Sequence, residues 1–369
     1  MSAQSPWSSS RSLPVSRLVR LATVAYLLLT GYVSLYPFVG WREPNASIFS
    51  LLAGPTYNSN ADILLNVAAY LPLGLLLTLV LLPRYGRWRA AMLGMLFGAL
   101  LSTTIEVLQA YVPTRVPSKA DIACNAIGAA AGAIMASITG RALLSGRFSD
   151  YRRRVFPPDI ATDLGFLLMG LWVVTQLNPE IWLFGNGDVH AFFPLHPAVK
   201  YSAPMYVLLE AGVAASGYCG LLLLLSALAR PRAPTLDALL LLTTAALILK
   251  SIASAFLFNG GHLWLWVTPG STAGLLIGSI AGAMGSRARA GFKHASIVLC
   301  LVIMVVLVNL APPNPYLEVL HVWQHGHYAS FNATTRLLAS AWPFVAFAFV
   351  VYLMLRRPKV EWTIRNSRR

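Results

Sequence analysis

The chain of 369 residues is 57% hydrophobic and 11% charged, with a mean hydropathy of +0.63. A soluble domain carries about 25% charged residues, so this composition excludes a conventional soluble protein. The net charge of +15 would suit a nucleic-acid-binding protein. However, the basic residues are dispersed among short connections between apolar runs, which argues against nucleic acid as a partner.

Ten long apolar runs predict an all-α, polytopic integral membrane protein with about ten transmembrane helices. Each spanning segment must form a helix, because the bilayer offers no hydrogen bonds to an open backbone. The predicted spans are residues 17–36, 63–82, 90–111, 121–140, 160–178, 205–229, 235–258, 270–286, 294–311 and 334–355. They leave no room for a soluble domain or for a nucleotide-binding site.

The distribution of Lys and Arg predicts how these spans are oriented. If the N-terminus lies inside, 22 of the 28 basic residues fall in inner segments, five fall in outer segments, and Lys250 lies within a span. This asymmetry follows the positive-inside rule. It predicts that the N- and C-termini are both cytoplasmic.

A basic, polar stretch divides the predicted helices into two groups. It contains three consecutive arginines, Arg152, Arg153 and Arg154, followed by Pro157 and Pro158, a composition typical of a connection between domains. The predicted organisation is a cytoplasmic N-terminal segment (1–16), a four-helix membrane domain (17–140), a basic cytoplasmic linker (141–159), a six-helix membrane domain (160–355) and a basic cytoplasmic tail (356–369).

Polar residues recur in a pattern within the first membrane domain. Two Asp-x-x-x-Asn turns open apolar runs, and one Glu-x-x-Gln turn closes the run between them: Asp62 with Asn66, Asp121 with Asn125, and Glu106 with Gln109. Residues three or four apart share a helix face, and the predicted orientation brings all six to one depth below the outer surface. Arg115 and Lys119 follow in the link above. Charges at this depth are costly and often functional, so the pattern predicts an outward-facing polar pocket.

Each of these residues also has a structural interpretation. The two aspartates could cap helix N-termini, and the two asparagines could join helices by hydrogen bonds. Glu106 is a carboxylate in an apolar helix, so it must be paired, protonated or facing water. An ion pair with Arg115 would satisfy the Glu106 carboxylate without any functional role.

The same residues resemble the VanZ-like family, which is named for a protein associated with resistance to the glycopeptide teicoplanin. The matching positions are Asp62, Asn66, Pro72, Gly74, Ser102, Glu106, Gln109, Arg115, Asp121, Asn125, Gly128 and Gly132. The resemblance covers about the first 140 residues. It implies a multi-pass protein of the bacterial inner (cytoplasmic) membrane that is linked to the cell envelope, without a defined reaction. Because the C-terminal helices depart from a minimal member, an exopolysaccharide or other envelope role competes with antibiotic resistance.

The preferred hypothesis is a protein that binds or processes an amphipathic envelope molecule, such as a membrane lipid or a lipid-linked glycan precursor. Arg115 and Lys119 would bind a phosphate, the amides would bind sugar or peptide groups, and Glu106 would be the acid or base of any reaction. Two alternatives stay open. One is a secondary transporter, and the other is a non-catalytic scaffold that binds an envelope enzyme. The sequence indicates no cofactor.

Two further groups of residues lie outside this cluster. Glu210 and Lys250 lie within neighbouring spans and could form an intramembrane ion pair. Glu318, His321 and His325 would share one face if their segment were helical, which is a weak signal for a zinc site. No His-Glu-x-x-His motif accompanies them, so histidines at the membrane interface are the better interpretation.

Overall fold

The computed structural model of the protein describes residues 16–44, 47, 60–190, 192–193, 199–257, 263–312 and 327–356. These residues form eleven helices and no strand, which confirms the predicted all-α class. The helices are α1 (Arg17–Leu35), α2 (Asn60–Tyr85), α3 (Arg87–Gln109), α4 (Lys119–Ser145), α5 (Arg147–Val155), α6 (Ile160–Thr175), α7 (Ala203–Leu228), α8 (Leu236–Leu257), α9 (Pro269–Gly285), α10 (Ala290–Leu310) and α11 (His327–Leu355).

Every predicted span is a helix in the structure, and eight of the helices are long and apolar enough to cross a membrane. The two remaining predicted spans, α6 and α9, have 16 and 17 residues. They are shorter than the roughly 20 residues that a perpendicular crossing needs. The protein is therefore a multi-pass membrane protein in which two of the ten predicted helices are short.

Many large apolar side chains point away from the protein. Leu28 and Met92, for example, are each 70% exposed, and Leu299 is 59% exposed. A soluble protein rarely exposes apolar surface on this scale. These side chains are suited to contact with lipid.

Small residues hold α2 and α4 close together. A Cβ atom on Gly128 would overlap the carbonyl oxygen of Val67, and one on Gly132 would overlap the carbonyl oxygen of Leu71. Glycine is required at both positions because the two helix backbones are in direct contact. The Gly-x-x-x-Gly sequence of α4 therefore forms the interface with α2.

A second glycine-rich interface joins α9 to α7. Cβ atoms on Gly274 and Gly278 would meet the carbonyl oxygens of Ala211 and Ala215, respectively. Successive glycines four residues apart lie on one helix face. The short helix α9 thus packs its glycine face directly on the backbone of α7.

The largest buried core lies among the C-terminal helices. At its centre, Phe184 stacks on Tyr218 with ring centroids 5.1 Å apart and contacts Trp172 at 5.0 Å. Trp342 joins α11 to α6 by donating a hydrogen bond from Nε1 to the carbonyl oxygen of Leu168 at 2.9 Å. Aromatic packing and buried hydrogen bonds together fix the helices in this region.

The predicted linker is mostly helical. Helix α4 continues to Ser145, and the short helix α5 follows after Gly146. Arg152 of α5 forms an ion pair with Asp163, which is buried in α6. The polar composition of the segment did not indicate this helix, whose Arg152 binds α6 while Arg153 pairs with Asp150 of the same helix.

Candidate functional site

The predicted polar cluster lies where four helix ends meet. The C-terminal end of α1, the N-terminal end of α2, the C-terminal end of α3 and the N-terminal end of α4 are joined there by side-chain hydrogen bonds. These are the helix ends that the positive-inside rule predicts to lie on the outer side. The structure thus brings most of the predicted residues into one network, which we call the N-terminal network: Asn66, Ser102, Glu106, Gln109, Arg115, Ser118, Asp121 and Asn125.

One link in the network joins α2 to α4. Nδ2 of Asn66 donates to Oδ1 of Asp121 at 2.8 Å. Asp121 is buried and lies in the first turn of α4, where a carboxylate also benefits from the helix dipole. The cap of this helix is Ser118, whose hydroxyl oxygen accepts from the backbone N–H of Asp121 at 3.4 Å. Asp121 therefore stabilises α4 from within the first turn of this helix, and it is not the N-cap residue.

A second link joins α3 to the start of α4. Oε2 of Glu106 accepts a hydrogen bond from the backbone N–H of Ser118 at 2.9 Å. One turn deeper, Nδ2 of Asn125 donates to the hydroxyl oxygen of Ser102 at 3.0 Å. Glu106 is only 2% exposed. Burial of a carboxylate at this depth requires such hydrogen-bond donors, because desolvation penalises the charged form.

The end of α1 completes the network through its backbone. Nε2 of Gln109 donates to the carbonyl oxygen of Ser34 at 2.8 Å. Nη2 of Arg115 donates to the carbonyl oxygens of Val33 and Tyr36 at 3.1 and 3.3 Å. These carbonyl groups lie in the last turn of a helix, where they lack partners within the helix. The two side chains therefore cap α1 from outside.

Arg115 is the half-buried cation of the network. Burial lowers the pKa of its guanidinium below the usual value, although the nearby charges of Glu106 and Asp121 act in the opposite direction. The expected proximity of Arg115 and Glu106 is thus present. Arg115 thus combines this proximity with its hydrogen bonds to backbone carbonyls at the end of α1.

The other two predicted members lie at the edge of the network. Asp62 is partly exposed in the first turn of α2, and Lys119 is exposed at the start of α4. With Arg115, Lys119 gives the surface of the network a basic character. The buried members lie beneath it.

The predicted ion pair between Glu210 and Lys250 is not formed, so that prediction is wrong. Nζ of Lys250 donates to the carbonyl oxygen of Asn178 at 2.7 Å and to that of Ile181. Both side chains line the same cavity. The carbonyl groups that follow the end of α6 therefore replace Glu210 as the partners of the buried ammonium.

That cavity has a volume of about 390 Å³. It lies among the C-terminal helices, between the connection that follows α6, the start of α7, the end of α8 and the connection that leads to α9. It is distinct from the N-terminal network, although Leu65 of α2 packs against Ala253 of α8 in a cluster that also contains Leu177. Both places are at the same end of the helix bundle.

The weak zinc prediction at Glu318, His321 and His325 lies outside the described residues. Within the described ranges, no group of three or more His, Cys, Asp or Glu residues is arranged to hold a metal ion.

A polar connection that the sequence did not predict joins the segment after α6 to α11. Nδ2 of Asn178 donates to Oδ1 of Asn332 at 2.7 Å, and Asn332 donates to Glu180 at 3.1 Å. Glu180 also forms an ion pair with Arg336. The two segments are about 150 residues apart in the chain, so no local spacing indicated that they meet.

A comparison with protein families finds a match to the part of the chain that contains the N-terminal network. Residues 2–140 match the model of the family described as VanZ/LLP1. This region contains α1 to α3 and most of α4, and the C-terminal helices continue beyond it. No curated protein and no solved structure matches the chain.

Proposed function

Because residues 2–140 of this multi-pass membrane protein match the VanZ/LLP1 family, we propose that the protein is VanZ-like and binds an amphipathic molecule of the bacterial cell envelope at the N-terminal network. The ligand class is a membrane lipid or a lipid-linked glycan that carries a phosphate. The proposed location is the bacterial inner membrane, with the network facing outward. Binding of this kind would serve glycopeptide resistance or exopolysaccharide and envelope biogenesis.

The observation that carries this proposal is the position of Arg115. Its guanidinium is half-buried and lies near the buried carboxylates of Glu106 and Asp121. A guanidinium held in place by neighbouring groups is well suited to bind a phosphate with two parallel hydrogen bonds. The exposed ammonium of Lys119 adds positive charge nearby.

Glu106 is the residue of the network with the chemistry of a general acid or base. The hydrogen bond from Ser118 fixes its carboxylate at the start of α4. We assign it first a positioning role, in which it holds the loop that carries Arg115. The same fixed position of the carboxylate would also suit a role in proton transfer.

A non-catalytic scaffold is the second candidate, and one observation favours it. The side chains of the network bind one another and the backbone of α1. Such a network could serve only to hold α1 to α4 in a shape that an envelope enzyme recognises. The scaffold needs no ligand, and this difference separates the two candidates experimentally.

The test is native mass spectrometry of the gently extracted protein, comparing wild type with Arg115→Ala and Arg115→Lys. We expect a phospholipid or polyprenyl phosphate to co-purify with wild type and to be lost in Arg115→Ala. Arg115→Lys keeps the positive charge and retains part of the binding. Arg89→Ala is the matched control, because this exposed arginine lies at the other end of α3.

Loss of the lipid in Arg115→Ala but not in Arg89→Ala, at equal yield, supports the proposal. Equal lipid occupancy in all variants would overturn it. If wild-type protein carries no lipid but co-purifies with a specific envelope enzyme, the scaffold function would replace the proposed lipid-binding function.

A further inference from the structure

The cavity among the C-terminal helices has the size and lining of a small-molecule site. Its volume of about 390 Å³ falls within the usual range of about 300–1,000 Å³ for ligand pockets. The lining combines aromatic walls with a few polar groups, which is also typical of such sites. The described interactions of the N-terminal network do not involve this cavity.

Five aromatic side chains line the cavity: Trp182, Tyr201, Tyr206, Trp264 and Trp266. Trp182 packs edge-on against Tyr206 with ring centroids 5.0 Å apart, and Tyr201 lies 5.9 Å from the same ring. Trp264 is 67% exposed, whereas Tyr206 is buried. The aromatic lining therefore runs from an exposed rim into the protein.

Polar side chains complete the lining of the cavity. Glu210 and Lys250 are 7% and 2% exposed, and the partly exposed Thr268 also lines the cavity. A carboxylate accepts hydrogen bonds, an ammonium donates them, and a threonine hydroxyl does both. The lining of the cavity thus combines hydrogen-bond acceptors and donors with aromatic rings.

The formal charges around the cavity cancel. The carboxylate of Glu180 is paired with Arg336, and the opposite charges of Glu210 and Lys250 offset each other within the lining. A cationic ligand would meet Lys250 and an anionic ligand would meet Glu210, both in a medium of low dielectric constant. The cavity is therefore best matched by a neutral ligand.

We propose that this cavity binds a neutral saccharide, either free or as the head group of a glycolipid. The hydroxyl groups of a sugar both donate and accept hydrogen bonds, which fits the polar lining residues Glu210, Lys250 and Thr268. The apolar faces of a sugar ring fit against flat aromatic walls such as Trp264 and Trp266, whose ring centroids are 6.3 Å apart. The saccharide site is separate from the phosphate site proposed at Arg115.

The test is ligand-observed NMR with the full-length protein, purified in a polyoxyethylene detergent that carries no sugar. The probes are maltose, cellobiose and N-acetylglucosamine, with choline as the cationic probe and inorganic phosphate as the anionic probe. We expect at least one saccharide to bind, and Trp264→Ala to weaken its binding by roughly tenfold. Trp88→Ala is the matched control, because Trp88 is 68% exposed and lies at the start of α3.

If Trp264→Ala lowers the melting temperature of the protein, the variant Glu210→Gln replaces it in the binding experiment, because this change preserves the shape of the side chain. Tighter binding of dodecyl maltoside than of maltose would assign the site to glycolipids, and equal binding would assign it to free saccharides. Binding of choline or phosphate in place of the saccharides would overturn the proposal, as would no binding at all. Saccharide binding should survive Arg115→Ala, and its loss in that variant would contradict a separate site.

Discussion

Glu106 of α3 accepts a hydrogen bond from the backbone N–H of Ser118, the N-cap of α4, with 2.9 Å between Oε2 and the nitrogen. The bond closes the connection between the two helices across twelve residues. Together with the bond from Asn66 to Asp121, it fixes the ends of α2, α3 and α4 relative to one another. The loop that carries Arg115 lies between Glu106 and Ser118, so the bond between these two residues closes it.

Glu106→Ala should destabilise the protein, because it leaves the buried N–H of Ser118 without its carboxylate acceptor. An unsatisfied buried donor costs about 1–3 kcal/mol. Thermal unfolding in detergent should show a lower midpoint for this variant than for wild type. Glu43→Ala is the control, because Glu43 is exposed; equal midpoints for the two variants would contradict the role of Glu106.

Gly132→Ala should force α2 and α4 apart, because the new Cβ would overlap backbone atoms of Leu71 and Leu75. Overpacking of this kind costs about 1–3 kcal/mol. The yield of monodisperse protein and its melting temperature should both fall. Gly31→Ala in α1 should be tolerated, because a Cβ there meets no atom within 4 Å. If both variants behaved like wild type, the close packing at Gly132 would be refuted.

Lys250→Met should lower the stability of the C-terminal helices. It removes the donor to the carbonyl oxygens of Asn178 and Ile181, and the loss of partners for buried carbonyl groups costs about 1–3 kcal/mol. Proteolysis of the folded protein should become faster. Lys200→Met, at an exposed lysine, should leave the rate unchanged. A Lys250→Met protein as resistant as wild type would show that these hydrogen bonds contribute little.

The ion pair between Asp159 and Arg356 should make stability depend on acid pH. Burial alone would raise the pKa of Asp159, but the N–H of Thr162 and the guanidinium of Arg356 outweigh it and hold this pKa below its usual value. A carboxyl group with a lowered pKa stabilises the folded state above its ordinary pKa, about 3.9, and loses that contribution as pH falls through the lowered value.

Arg356→Ala should therefore lower the melting temperature at neutral pH, and the difference from wild type should shrink below pH about 4. The effect is small, within about 1 kcal/mol, because the pair is partly exposed. Arg153→Ala is the matched control, since its pair with Asp150 is largely exposed. A constant difference between Arg356→Ala and wild type across this pH range would contradict the role of Asp159.

The helices of this protein could be predicted because apolar runs of spanning length permit few other structures. The Gly-x-x-x-Gly spacing of Gly128 and Gly132 is typical of close helix packing, but it does not specify α2 as the partner. The corresponding contact of α9 with α7 was missed, although Gly270, Gly274, Gly278 and Gly282 recur every four residues. That spacing is visible in the sequence and could have predicted the contact.

The partners of Lys250 and Arg115 could not be predicted in the same way. Both side chains bind backbone carbonyl oxygens, which every residue possesses, so the sequence carries no signal for them. The sequence predicted Glu210 as the charged partner of Lys250, but Lys250 binds carbonyl oxygens. Carbonyl groups at helix ends are alternative partners for any buried cation.

The most direct test of ligand binding at the N-terminal network is photo-crosslinking in living cells. A photoreactive amino acid replaces Val116, which is 81% exposed and adjacent to Arg115, and a second protein carries it at Trp88 as control. We expect irradiation at Val116 to yield a specific adduct with a phosphate-bearing lipid or lipid-linked glycan, and this adduct should disappear with Arg115→Ala. If the probes at Val116 and Trp88 crosslink to the same mixture of bulk lipids, and Arg115→Ala does not change these adducts, the result would contradict the proposed function.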